Sequence, residues 1–97
     1  MFEIFLTEHA RKQFNNLKTD KGLLKRYKAV KKTIQYLSKN PRHPSLNTHE
    51  FTTLKGIGGE KVFEAYAEQS TPVAYRIFWH YGPSKNQITI IAITSHP

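Results

Sequence analysis

The chain has 97 residues, 38% of them hydrophobic, with 15 Lys and Arg against 7 Asp and Glu and a net charge of +8. That length gives a single domain, 1–97, with one small core, and that charge points to nucleic acid or an acidic partner. There is no cysteine, which excludes disulfides, thiolate metal sites and a cysteine nucleophile together.

Phe2 to Leu6 is a short apolar run that reads as a first strand. It is too short and lacks the basic start of a signal peptide, and no stretch approaches the ~20 apolar residues of a membrane span. The expectation is a cytoplasmic protein. Thr7 is a good N-cap, and Glu8 suits the positive end of the helix that follows. Ala10, Phe14 and Leu17 fall on one face of that helix, and Asn15, Asn16, Thr19 and Asp20 mark its end. Asp20 caps a second, longer helix. Its buried seam is Leu23, Tyr27, Val30, Ile34 and Leu37, and Asn40-Pro41 stops it. The short link predicts an antiparallel helix hairpin.

Residues 41 to 60 read as a loop, long for a compact domain and so a candidate for function. Phe51 and Leu54 are its expected anchors. Gly56-Ile57-Gly58-Gly59 lacks the following Lys-Ser/Thr of a phosphate loop and reads as a turn. His43 and His49 stand too far from other ligands for a metal site, which leaves them structural or surface roles.

Three strands follow. Val62 to Glu68 alternates, with Phe63, Ala65 and Ala67 on one face and Glu64, Tyr66 and Glu68 on the other. Ser70-Thr71-Pro72 reads as a turn, Val73 to Tyr81 as an aromatic strand, and Gly82 to Asn86 as a hairpin turn. Gln87 to Thr94, with four isoleucines, reads as a strand buried on both faces. The expected class is α+β, in the order β-α-α-β-β-β, with the helix hairpin packed on one face of an antiparallel sheet.

The second helix carries Lys21, Lys25, Arg26, Lys28, Lys31, Lys32 and Lys39 and no acid. Lys21, Lys25, Lys28, Lys32 and Lys39 share one stripe. A solvated helix face interleaves Glu with Lys, so this one-sided run favours a surface that meets phosphate. Such contacts carry affinity without sequence specificity.

Leu54-Lys55-Gly56 ahead of a strand, Ala74-Tyr75-Arg76-Ile77-Phe78-Trp79, and a terminal strand ending Ile93-Thr94-Ser95-His96 together resemble the RelE/ParE toxin superfamily over essentially the whole chain. The resemblance implies a toxin of a type II toxin-antitoxin pair, with a cognate antitoxin as partner. RelE-like members cut mRNA, mostly on the ribosome; ParE-like members act on DNA gyrase. In the RNA-cutting branch the strand arginine, matched here by Arg76, belongs to the active site. Several members also carry a functional His near the C-terminus, matched here by His96. Glu64, Tyr66 and Glu68 stand where many nucleases of the family have Arg or Lys, which suits the gyrase branch better; the terminal His suits the nuclease.

Cutting RNA with its own 2′-OH needs a base, a cation on the crowded phosphate and an acid for the leaving oxygen. Glu64 and His96 are the expected base and acid, and Arg76 the stabiliser, with no metal or cofactor. Strand parity would place Glu64, Tyr66, Arg76, His80 and His96 on the open face. It would place Tyr75, Ile77, Trp79, Ile91 and Ile93 under the helices. Tyr66 could stack on a base, and Lys55, His80, Lys21, Lys25, Lys28 and Lys32 are expected along the RNA. A gyrase inhibitor and an inactive module that only binds antitoxin or nucleic acid are the other readings.

Overall fold

The computed structural model describes residues 1–69 and 73–95. The order is β1 (Glu3–Leu6), α1 (Glu8–Thr19), α2 (Leu24–Lys39), β2 (His49–Lys55), β3 (Lys61–Tyr66), β4 (Tyr75–Tyr81) and β5 (Gln87–Ser95), with 3-10 turns at Lys21–Leu23 and Pro44–Leu46. The strands form one sheet ordered β1-β5-β4-β3-β2. This is the expected α+β class, with two helices on one face of a sheet.

The first helix starts where the capping chemistry says it should. The Thr7 side chain accepts a hydrogen bond from Ala10 N, relieving one of the free donors of the first turn. Asp20 instead accepts from Gly22 N, so it caps the 3-10 turn ahead of α2 rather than α2 itself. Val30 and Leu37 from α2 and Ala10 and Leu17 from α1 meet Ala65, Ile77, Trp79, Ile88, Ile90 and Ile93 of the sheet in one core. Deleting a side chain such as Leu37, wholly buried, costs about 2–5 kcal/mol.

Three further particulars depart from the sequence reading. The stretch 41–60 is not all loop, because β2 occupies Glu50 and its neighbours and pairs antiparallel with β3. Its residues are exposed except half-buried Phe51, which meets the Phe78 ring edge-on at 4.9 Å. An edge strand with one inward apolar residue has no alternating signal to read. Leu54 is exposed and anchors nothing. Second, the sheet is mixed: β1 pairs parallel with β5, from Glu3 opposite Gln87 to Leu6 opposite Ile90.

The third departure is a β-bulge in the β4–β5 ladder. Phe78 stands opposite Ala92 and Trp79 opposite Ile90, so Ile91 is the extra residue. The bulge reverses parity, so Ile90, not Ile91, joins Ile93 under the helices, and β5 is buried on that face only. The segment 70–72 lies outside the described residues. No described helix is long and apolar enough to cross a membrane.

Candidate functional site

On the face of the sheet away from the helices, the β3–β4 register sets Glu64 opposite Phe78 and Tyr66 opposite Arg76. Glu64 is only 2% exposed. A carboxylate so placed needs partners for both oxygens, and it has them. The Arg76 guanidinium donates to Oε2, and His49 Nε2, from β2, lies 2.7 Å from Oε1. Arg76 lies over the Phe78 ring, its guanidinium carbon 5.0 Å from the centroid. Its Nε is buried with no acceptor among the described residues.

The turn before β2 aims His49. Asn47 adopts the left-handed conformation, φ 47°, at the end of the Pro44–Leu46 turn, and its carbonyl oxygen lies 3.1 Å from His49 Nδ1. A carbonyl oxygen only accepts, so Nδ1 bears a proton in this bond and Nε2 is the nitrogen turned to Glu64. The Tyr66 ring lies beside the imidazole, 5.9 Å between centroids. The cluster is therefore His49, Glu64, Arg76 and Tyr66, from three strands. It combines a fixed guanidinium, a carboxylate, an imidazole half open to solvent and a stacking ring.

The structure brings three of the expected residues together, Glu64, Tyr66 and Arg76. Lys55 is exposed at the far end of β2, opposite Lys61 and about 20 Å from His49 at strand spacing. His80 shares the face but sits four residues beyond Arg76, opposite Thr89. There it belongs to a different cluster at the β2–β3 turn. His80 Nδ1 is 2.8 Å from the Tyr81 carbonyl, and the Glu60 carboxylate accepts from Gly58 N. Glu60 titrates below the ordinary carboxylate value, first through its own backbone N–H and then through the His80 ring and Gly58 N–H. A Cβ on Gly56 would strike the Glu60 carboxylate and come within 3.1 Å of His80 Cδ2, so this turn needs glycine for close approach. Lys21, Lys25, Lys28 and Lys32 are exposed on the helix layer, and His96 lies outside the described residues.

His49 is the residue that sequence reasoning missed. Its one signal is spacing: His49 and Phe51, two apart, share a strand face once β2 is recognised. His43 stacks on Tyr36, ring centroids 4.5 Å apart. No group of three His, Asp or Glu among the described residues is placed to hold a metal.

The fold is that of the RelE/ParE toxins. It is similar to the YoeB/ParE toxin from Agrobacterium tumefaciens, with a TM-score of 0.72 and 11% identity over 99% of this chain and 100% of that one. The YoeB dimer from Staphylococcus aureus gives 0.68 and 12%, covering 99% and 98%. A chain of the archaeal RelE–RelB complex from Pyrococcus horikoshii gives 0.65 and 14%, covering 97% and 93%. No family model matches the chain, and no curated protein matches it by sequence.

Proposed function

We propose that this chain is the toxin of a type II toxin-antitoxin pair and acts as a metal-independent endoribonuclease on mRNA engaged by the ribosome, arresting translation. The observation that carries the reading is the Arg76–Glu64–His49 cluster on the open sheet face, on a fold shared with RelE/ParE-type toxins. A cognate antitoxin is the expected partner, as RelB is for the archaeal RelE named above.

The chemistry follows from the parts. The 2′ oxygen attacks the adjacent phosphorus while the P–O5′ bond breaks, leaving a 2′,3′-cyclic phosphate and a 5′-hydroxyl. Arg76 stabilises the crowded phosphorane with the positive charge of its guanidinium. Both oxygens of Glu64 are engaged, so the base is the Glu64–His49 couple rather than a lone carboxylate; His49 Nε2, the ring nitrogen without a proton, takes the 2′-OH proton and holds it toward Glu64 Oε1. His96 is the acid that protonates O5′, a role proposed from the sequence resemblance. Tyr66 offers a ring to a base beside the scissile bond.

The test is primer extension on cellular mRNA after brief induction, with Arg76→Ala as comparison. New ends inside translated frames, absent in the variant, support the reading. Growth arrest without new ends points instead to the gyrase branch, checked by a supercoiling assay. That alternative drew on the acidity of residues 62–68, but both carboxylates there have basic partners. Glu64 has Arg76 and His49, and Glu68 has Arg26, whose Nε is 3.4 Å away. Neither arrest nor ends would leave a module that only binds.

A further inference from the structure

Between α2 and the end of β3 lies a groove of about 300 Å³, at the small end of ligand-binding pockets. Lys32, Thr33 and Tyr36 of α2 line it, together with Leu46, Tyr66 and Gln69. The Tyr36 ring is backed by His43, and Lys32 Nζ lies 5.8 Å from its centroid. Tyr66 is shared, being both a wall of this groove and the neighbour of His49 in the cluster above. Two further facts converge. Lys25, Lys28, Lys32, Tyr36 and Lys39 fall on one stripe of α2, about 21 Å long at 1.5 Å per residue, and α2 contains no acid. The groove thus lies where the basic stripe of α2, a helix without an acid, meets Tyr36 and Tyr66.

We propose that this stripe and groove form a track for single-stranded RNA, leading the strand along α2, past Tyr36 and over Tyr66, to Arg76. It rests on the endoribonuclease reading and adds the strand's path and its single-stranded form. A positive groove that follows the backbone, with aromatic side chains for unstacked bases, is the general chemistry of single-strand binding. A duplex keeps its bases stacked and would engage the lysines alone, and an acidic peptide has no bases for the tyrosines.

The experiment is fluorescence anisotropy with a short 2′-O-methylated RNA oligonucleotide, which binds but lacks the attacking hydroxyl. The titration is made at several salt concentrations, with cleavage of the unmodified strand measured in parallel. Lys32→Glu should weaken binding about tenfold at low salt and flatten the dependence of log Kd on log salt by about one unit. Lys85→Glu, in the β4–β5 turn, changes net charge equally and should shift Kd less than about twofold. Tyr66→Ala should weaken binding about tenfold, and Tyr66→Phe should restore it, since the ring is what stacks. Equal effects of Lys32→Glu and Lys85→Glu, or equal competition by duplex RNA or polyglutamate, would overturn the track. So would no binding by the wild type. Binding as expected without cleavage sinks the nuclease and leaves the track; cleavage with Lys32→Glu binding as the wild type does the reverse.

Discussion

His49 Nε2 stands 2.7 Å from one oxygen of Glu64, whose other oxygen is held by Arg76, so a carboxylate from β3 is clamped between side chains from β2 and β4. The burial of the three is unequal. The Glu64 and Arg76 side chains are 3% and 12% exposed, and that of His49 is 53% exposed.

The asymmetry predicts unequal losses. Glu64→Ala leaves a buried guanidinium without its counter-charge and should destabilise the fold by about 3–5 kcal/mol. His49→Ala leaves Oε1 without its partner, but the half-exposed ring it removes lets water in, so it should cost less, about 1–3 kcal/mol. Urea unfolding of both variants checks this; equal costs would mean that burial does not set the strength of the clamp.

Arg76→Lys separates charge from shape. The ammonium keeps the positive charge but not the planar fork that holds Glu64 while facing a phosphate. Single-turnover cleavage of an RNA oligonucleotide should fall by about 100-fold or more. A rate unchanged from wild type would remove Arg76 from the chemistry.

Much of this was legible beforehand, for identifiable reasons. Val30, Leu37 and Ala10 declared their helices by spacing, and the alternation from Val62 to Tyr66 put Glu64 and Tyr66 on one face. That parity argument found three members of the cluster. It failed at Ile91 because a bulge in one strand is invisible in that strand's own pattern. It missed His49 because β2 is an exposed edge whose conformation comes from pairing with β3, a long-range fact. His80 was assigned to the right face but the wrong company, since its neighbours Gly56 and Glu60 come from the turn after that unseen strand.

The Glu60 turn carries a pH signature. Its carboxyl is held below its ordinary value of 4.5, so the folded state binds the proton more weakly than the unfolded chain does. The stabilisation is therefore complete above that ordinary value and is lost as pH falls through the lower, folded one. The Tm difference between wild type and Glu60→Gln should shrink toward zero as pH falls through the folded value. A difference that persists at the lowest pH would assign the effect to packing rather than charge.

β1 leaves part of the edge of β5 uncovered. β1 stops pairing at Leu6 opposite Ile90, and beyond it the backbone groups of β5 would face no strand. The chain turning into α1 takes over: Thr7 N donates to the Ile90 carbonyl, the Thr7 hydroxyl reaches the Ile91 carbonyl at 3.4 Å, and Gln13 Oε1 accepts from Ile93 N at 2.6 Å. Gln13 is thus a side-chain substitute for the missing strand, just past the bulge that places Ile93 in the core. Gln13→Ala would leave the Ile93 N–H without an acceptor in a half-buried place, at about 1–3 kcal/mol. The Ile93 amide should then exchange with solvent faster, while the Ile88 amide, where β1 still pairs, should change only as far as global stability falls. Uniform acceleration of both amides would show that α1 is not a local substitute for a strand at this edge, and that Gln13 acts only on the stability of the whole sheet.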